Sequence, residues 1–326
     1  MRLTYRIIAG ALFLFLAATG VTLFYMHKQR VPQRPVIYIT APSPQLEVLP
    51  VYLGIVAGHF DKAGLEVLVV NTESSDRDWK KPGVLHACSL EDLLYSRIFY
   101  SEKHVAVATL TEHDYALLLS RKPEPFTWEA TKQKSIITAQ PTSATTAVLE
   151  AALRENGVYP YREAVLINNI PERLRIPAFL AGTGDYIVAR EPAATVMIRS
   201  EKAFFAAPLS KGKPLYLTVL TAPEDWAAKN HAVLAAFNRA LARAQADLYH
   251  RPAGEIAWIL GPYFPHISLS ALETIIARGQ KENIWDSGGK PNPAYFFRLQ
   301  KVLKRAGELP RPVSCEEIFM DPKNQR

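Results

Sequence analysis

The chain has 326 residues, of which 48% are hydrophobic and 21% charged, a composition typical of a globular protein long enough for one two-lobed domain or two smaller ones. Its net charge is +7, yet five of the 38 basic residues precede residue 35, where no acidic residue occurs. The remaining 33 basic residues nearly balance the 31 acidic ones, which argues against a nucleic-acid partner.

The N-terminal segment contains an uncharged run of 19 residues, 7–25, preceded by Arg2 and Arg6. At about 1.5 Å per residue, a helix of this length spans roughly 28 Å, close to the hydrocarbon thickness of a bilayer. Neither an A-x-A cleavage site nor an acylatable cysteine follows, so we expect an uncleaved signal anchor and linker over residues 1–34. A cleaved signal peptide and a buried helix are the alternatives. Because basic residues flank both sides of the run, the positive-inside rule does not give its orientation.

The first folded unit is predicted from a strand, a helix and a second strand in succession. Residues 36–39 and 65–70 are apolar runs rich in β-branched side chains, typical of buried parallel strands. Between them, apolar residues recur at helical spacing over residues 48–56. A βαβ unit binds ligands beyond the carboxyl ends of its strands, and Gln45 lies in the loop after the first strand. Gln45 is therefore a candidate ligand contact.

Strands and helices continue to alternate downstream. Strands are predicted over residues 84–88, 104–109, 135–139, 164–167 and 215–220, and helices over 90–100, 144–155 and 227–248. The proline-containing segment 121–128 is predicted to cross between two lobes. We therefore expect an α/β fold in which residues 35–120 form the first part of lobe 1 and residues 121–214 form lobe 2. Residues 215–326 are expected to return to lobe 1 and to add the C-terminal helices.

Several motifs resemble segments of one bacterial family. They are G-H-F-D-K-A-G-L-E-V at residues 58–67, T-E-H-D-Y at 111–115 and G-T-G-D-Y-I-V-A-R-E-P at 182–192. In type and order they are similar to segments of the substrate-binding proteins of ABC importers, in the branch that takes nitrate, sulfonates, taurine and thiamine-pyrimidine precursors. The resemblance extends over about residues 36–320. Three positions depart from the family pattern, with Glu112 in place of glutamine, Tyr115 in place of proline and Tyr186 in place of a small residue.

The resemblance implies a two-lobed type II periplasmic-binding-protein fold with a hinge and an interlobe cleft, preceded by an N-terminal membrane helix. It also implies a monomer on the extracytoplasmic, periplasmic side of a bacterial cell membrane, with an ABC permease and ATPase subunits as partners. Pyrimidine-precursor binders commonly have a histidine ten residues before the glycine of G-H-F. Val48 occupies that position here, which weakens the case for a pyrimidine ligand.

A group of hydroxyl side chains surrounds the start of the predicted helix 144–155, namely Thr142, Ser143 and Thr145. Free N–H groups and the positive end of the helix dipole suit a carboxylate, a sulfonate or a phosphate. The family uses the same loop, so the resemblance makes these residues candidate ligand contacts. An ordinary N-cap serine is the structural alternative.

Five further polar side chains are candidates for the cleft: Ser89, Glu112, His113, Asp185 and Glu191. Ser89 opens the helix 90–100 and would face Ser143 across the cleft, unless it only caps its helix. The other four begin or follow predicted strands, where capping, a salt bridge or a structural hydrogen bond is the alternative role.

The sequence offers no catalytic or metal-binding motif. It contains no G-x-S-x-G, H-E-x-x-H, C-x-x-C or glycine-rich phosphate loop, and Cys88 and Cys315 are predicted to be separate thiols. We therefore expect no enzyme activity, no metal and no cofactor.

The predicted function is a membrane-tethered solute-binding protein that captures a small polar or anionic ligand for an ABC importer. A sulfonate, nitrate and a pyrimidine-like compound are the ligand classes that the resemblance suggests. One alternative is a ligand-sensing extracytoplasmic domain that signals to a partner. Another is an enzyme similar to thiamine-pyrimidine synthases, although this chain lacks their cysteine-rich motif.

Overall fold

A computed structural model of the chain describes residues 34–41, 45–71, 83–209, 213–288 and 291–320. The described residues from Val36 onward belong to one compact unit. The predicted signal anchor lies outside the described residues. Among the residues that are described, no helix has both the length and the apolar character needed to cross a membrane.

The described residues form ten strands and twelve α-helices. The strands are β1 (Val36–Ala41), β2 (Glu66–Asn71), β3 (Val84–Ser89), β4 (His104–Thr109), β5 (Leu117–Ser120), β6 (Ser135–Ile137), β7 (Val165–Ile167), β8 (Tyr186–Ala189), β9 (Phe204–Pro208) and β10 (Thr218–Pro223). The helices are α1 (Leu49–Val56), α2 (His59–Lys62), α3 (Leu90–Tyr100), α4 (Ala144–Glu155), α5 (Glu172–Leu180), α6 (Ala193–Arg199), α7 (Glu224–Lys229), α8 (His231–His250), α9 (Ala253–Leu260), α10 (Leu269–Lys281), α11 (Pro293–Arg305) and α12 (Cys315–Ile318).

The first sheet has the strand order β2-β1-β3-β10-β4. β1 pairs in parallel with both β2 and β3, and α1 connects β1 to β2, which confirms the predicted βαβ unit. Gly58 has a φ of 69°, so a residue in the left-handed conformation separates α1 from α2. β10 lies antiparallel between β3 and β4. The predicted return strand is thus confirmed, although it covers Thr218–Pro223 rather than residues 215–220.

The second sheet has the strand order β7-β6-β8-β5-β9, with β5 antiparallel to both β8 and β9. This arrangement corrects the predicted crossing, because residues 117–120 belong to the second sheet and not to the first lobe. The chain therefore crosses between the sheets before residue 117, ahead of the expected segment 121–128. All four residues of β5 are buried. A short apolar run fits the middle of either sheet, so the local sequence does not indicate which strands it pairs with.

Three clusters of buried apolar side chains form the core. One packs α1, α8, α9 and α10 against the first sheet and contains Trp285, whose Nε1–H donates to the carbonyl of Leu46 at 3.0 Å. Another combines side chains of α3 from the first lobe, α4 from the second lobe and the C-terminal helix α11. The third includes α5 and α6 of the second lobe. The second cluster therefore connects the lobes through apolar contacts.

Cys88 and Cys315 are both free thiols, as the sequence analysis predicts. Cys88 Sγ lies 3.8 Å from Thr221 Oγ1, which gives this thiol a polar neighbour on the adjacent strand β10. Burial raises the pKa of Cys88 to about 12, so the thiol stays protonated at neutral pH and is a poor nucleophile.

Candidate functional site

A cleft of about 460 Å³ lies between the two lobes. Residues that end or follow β1, β3, β6 and β8 line it, among them Gln45, Ser89, Gln140 and Arg190. This is the position in which open α/β sheets bind their ligands, beyond the carboxyl ends of the strands. A smaller recess of about 60 Å³ shares part of the same wall. It reaches the segment 111–115, which connects β4 to β5.

Six of the nine predicted site residues line these two spaces. Gln45, Ser89, Thr142, Ser143 and Thr145 line the cleft, and His113 lines the recess. Both lobes contribute, as the sequence analysis expects of an interlobe site. Contact of these residues with a ligand stays a prediction.

The other three predicted residues lie elsewhere in the fold. Asp185 accepts hydrogen bonds from the N–H and the hydroxyl of Ser135, both at 2.9 Å, and so joins the starts of β6 and β8. Glu191 accepts from the N–H and the hydroxyl of Thr195, both at 2.9 Å. Glu112 lies beside Asp286, and burial together with this neighbouring carboxyl raises the pKa of Glu112 to about 7. We leave all three out of the proposed site, because local structure accounts for their positions.

At the start of α4, where an anion site is predicted, one backbone N–H group already has a partner within the protein. Glu91 Oε1, from the first turn of α3 in the first lobe, accepts a hydrogen bond from the N–H of Ala144 at 3.0 Å. The hydroxyl of Tyr95 donates to the carbonyl of Thr142 at 3.0 Å. A carboxylate of the protein itself thus occupies an N–H group that was expected to face a ligand. Ser143 is the N-cap residue, but its hydroxyl accepts no capping hydrogen bond.

Two ion pairs join the lobes at the end of β8. In one pair the second lobe supplies the cation, and in the other it supplies the anion. Arg190 donates to Glu47, which lies in a short 3-10 helix of the first lobe. The next residue, Glu191, accepts from Arg278 on α10. The two pairs differ in exposure: the Glu191 side chain is 1% exposed, whereas the Arg190 side chain is 52% exposed to the cleft.

Burial changes the protonation of several groups around the cleft. It raises the pKa of Glu91 to about 7, and the neighbouring Asp92 adds to the effect. Burial also raises the pKa of Asp114, which accepts from the N–H of Ala116 at 2.8 Å. The pKa values of His86 and His113 are lowered by burial, so both imidazoles are neutral at pH 7. Within the described residues, no group of three or more His, Cys, Asp or Glu side chains is placed to hold a metal ion.

The sequence analysis missed the charged residues of the cleft, chiefly Glu47, Glu91, Asp114 and Arg190. All four lie within two positions of residues that were selected: Glu47 follows Gln45 by two, Glu91 follows Ser89 by two, Asp114 follows His113, and Arg190 precedes Glu191. The motifs T-E-H-D-Y and V-A-R-E-P therefore contained a usable signal. A charged residue directly after a buried strand has to reach solvent, a cleft or a counter-charge.

Comparison with known proteins identifies the family. The family model described as NMT1/THI5 like matches residues 45–255. The "Putative binding protein YtlA" of Bacillus subtilis is 24% identical over 277 residues, which cover 82% of this chain and 83% of that protein.

The periplasmic nitrate-binding protein NrtA from Synechocystis PCC 6803 superposes with a TM-score of 0.67 at 13% identity, covering 89% of this chain and 87% of NrtA. The aliphatic sulphonate binding protein SsuA from Escherichia coli gives 0.66 at 13% identity, covering 89% and 99%. The fold is not confined to binding proteins, since the desulfurization enzyme DSZB gives 0.64 at 13% identity, covering 89% and 98%. The chain thus belongs to the NMT1/THI5-like family and has the two-lobed α/β fold that the substrate-binding proteins NrtA and SsuA share.

Proposed function

We propose that this protein is the solute-binding component of an ABC importer and that it closes its two lobes around one small polar molecule. The observation that carries the proposal is the interlobe cleft of about 460 Å³, with polar side chains from both lobes at the carboxyl ends of strands. The names of YtlA, NrtA and SsuA as binding proteins are consistent with it.

The contacts that cross the cleft suit a reversible closure. These contacts are all polar: Glu47 with Arg190, Glu91 with the N–H of Ala144, and the Tyr95 hydroxyl with the carbonyl of Thr142. In an open form each of these groups is solvated by water, so the net cost of separating them is about 0.5–1.5 kcal/mol per hydrogen bond. A ligand that adds contacts to both lobes shifts the population toward the closed form.

We further propose that residues 1–34 tether the protein to the membrane, with the two lobes on the periplasmic side and an ABC permease and its ATPase as partners. The uncharged run 7–25 supports the tether. If the tether exists, carbonate washing leaves the full-length protein in the membrane pellet. Release of an intact, uncleaved chain into the wash would contradict it.

The binding function is tested with the full-length protein in mild detergent. A thermal-shift screen against small oxyanions, amines, amidines and aminopyrimidines identifies a ligand, which stabilises the protein by about 2.7 kcal/mol at a concentration 100 times its Kd. Small-angle scattering of the same samples should show compaction when the ligand binds. Absence of both binding and compaction across the panel would refute the proposal, and chemical turnover of a bound compound would favour an enzyme.

Transport is tested separately in cells. Deletion of the gene should abolish uptake of the labelled ligand, and a plasmid copy should restore it. A sensor that signals to a partner would leave uptake unchanged and alter gene expression instead.

A further inference from the structure

We propose that the cleft selects a small organic cation with several N–H donors, such as an amidinium, a guanidinium or a primary ammonium, and rejects oxyanions such as nitrate and sulfonates. This inference rests on the proposed binding function and adds the chemical class of the ligand. It is carried by the charges that line the cleft, by two buried polar atoms that lack a partner, and by the occupied helix N-terminus.

Carboxyl groups outnumber cationic groups around the cleft and the recess. The carboxyl side chains are Glu47, Glu91, Asp92, Asp114 and Glu172, and the cationic ones are Arg175 and Arg190. One of the two guanidinium groups, that of Arg190, is already paired with Glu47. The space open to a ligand is therefore negative, and a cation supplies the charge that it lacks.

Two buried polar atoms at the recess are without a hydrogen-bond partner among the described residues. They are Glu91 Oε2 and the hydroxyl of Tyr115. Their residues are only 7% and 5% exposed, and both line the recess. A buried acceptor without a partner costs free energy, so a ligand that donates N–H bonds to these atoms removes that cost. An oxyanion donates no hydrogen bond to Glu91 and would meet its negative charge.

One N–H group of the helix N-terminus that would attract an anion is already in use. Glu91 Oε1 accepts from the N–H of Ala144, so an anion at this position would have to displace a carboxylate of the protein. Burial raises the pKa of Glu91 to about 7, and the neighbouring Asp92 adds to the effect while Arg190 opposes it.

The size of the recess indicates which part of the ligand enters it. Its volume is about 60 Å³, and one water needs roughly 10–15 Å³. The recess therefore accommodates a group of a few heavy atoms, such as an amidinium or an ammonium. The rest of the ligand would occupy the cleft of about 460 Å³.

The test compares probes of matched shape and opposite charge on the full-length protein at pH 8, by calorimetry. Benzamidinium is paired with benzoate, ethylguanidinium with ethanesulfonate, and guanidinium with nitrate, because both members of the last pair are planar trigonal ions. Neutral 4-aminopyrimidine is the third class. We expect at least one cation to bind and its oxyanion partner to bind at least tenfold more weakly.

Two variants tie the selectivity to the recess. Glu91→Gln keeps an oxygen that can accept from Ala144 but removes the charge, and should weaken binding of the cation at least tenfold. Tyr115→Phe removes one hydroxyl and should weaken it about threefold to tenfold. Glu124→Gln is the matched control, because its side chain is 72% exposed and lies outside the cleft. It should leave the affinity unchanged. Thermal melting without ligand shows whether each variant is folded.

The outcomes separate this inference from the proposed function. Binding of an oxyanion or of the neutral pyrimidine without binding of any cation overturns the cation proposal and leaves the solute-binding function intact. Cation binding that Glu91→Gln and Tyr115→Phe do not change, while both are folded, also overturns it. Failure of all three probe classes to bind overturns the binding function as well.

Discussion

The two lobes meet through two sets of contacts with opposite chemistry. At the cleft, ion pairs and hydrogen bonds join them, such as Glu47 with Arg190 and Glu91 with Ala144. In the second apolar cluster, the side chains of α11 and α4 pack together and include Phe296 and Val148. Polar groups exchange a protein partner for water at little net cost, whereas exposing apolar area costs roughly 25 cal/mol per Å². If the lobes open and close as proposed, we expect the polar contacts to open and remake while the packing of α11 against α4 stays assembled.

The largest effect is expected from breaking the apolar side. Phe296 is 1% exposed, and Phe296→Ala should lower the free energy of unfolding by about 3–5 kcal/mol, because it leaves a cavity between α11 and its neighbours. The adjacent Phe297 is 68% exposed and serves as the control, with an expected change within about 0.5 kcal/mol for Phe297→Ala. Urea unfolding measures both. Equal effects of the two variants would show that α11 is not part of the core.

The next largest effect concerns the buried ion pair between the lobes. Arg278→Met should cost about 3 kcal/mol, because it leaves the carboxylate of Glu191 buried without its counter-charge. The double variant Arg278→Met with Glu191→Gln should recover most of this loss. Arg199, an exposed arginine on α6 that donates to Ser270, is the control, and Arg199→Met should change the free energy of unfolding by less than about 0.5 kcal/mol. A double variant as unstable as the single one would contradict the mechanism.

A smaller effect is expected from the pH dependence of Glu91. Its folded-state pKa of about 7 lies above the usual value of 4.5, so between these pH values the folded protein holds a proton that the unfolded chain has released. Stability from this group is therefore present at low pH and is lost as pH rises through about 7. Glu91 lies next to the N-terminus of α4. The charged groups that face it are Asp92 on its own helix and Arg190, which directly follows β8.

The measurement compares wild type and Glu91→Gln by urea unfolding from pH 4.5 to pH 8. The stability of the variant relative to wild type should rise across this range, by on the order of 2 kcal/mol or less. Parallel pH profiles of the two proteins would show that Glu91 has an ordinary pKa.

The smallest change in stability is expected at the exposed ion pair of the cleft. Glu47→Gln should cost less than about 1 kcal/mol, because the Arg190 side chain is 52% exposed and can be solvated by water. It should nevertheless shift the ligand-free protein toward the open form, which small-angle scattering detects as a larger radius of gyration. Glu66→Gln on β2, which removes the charge of an exposed carboxylate, is the control. If Glu47→Gln instead lowered the free energy of unfolding by several kcal/mol and left the radius of gyration unchanged, the ion pair would have a purely structural role.

Much of the fold could be predicted from periodicity in the sequence. The βαβ unit and the helix Ala144–Glu155 were found where apolar spacing places them, and the return strand was found three residues later than predicted. The sheet that β5 joins could not be predicted, because its four buried residues are compatible with either sheet. Its partners lie 66 or more residues away along the chain, in β8 and β9, and pairing at that distance leaves no local pattern.

The sequence analysis came within one or two positions of several charged side chains that line the cleft, and this difference changes the predicted chemistry of the cleft. Glu191 was selected where the adjacent Arg190 lines the cleft, and Ser89 was selected without Glu91. Successive side chains at the end of a strand point to different sides, so an uncertainty of one residue in the end of a strand exchanges one charge for another. The partner of Arg190, Glu47, lies 143 residues earlier, and the sequence gives no sign of this pairing.

The order of charges at the end of β8 restricts how the lobes can approach each other. Arg190 and Glu191 are neighbours of opposite sign, and each meets its counter-charge on the other lobe, in Glu47 and Arg278. A displacement of one residue in one direction would bring Arg190 toward Arg278, and in the other direction it would bring Glu191 toward Glu47, so either shift places like charges together. Only one register satisfies both pairs. A partner that recognises the closed protein would therefore meet a single surface geometry.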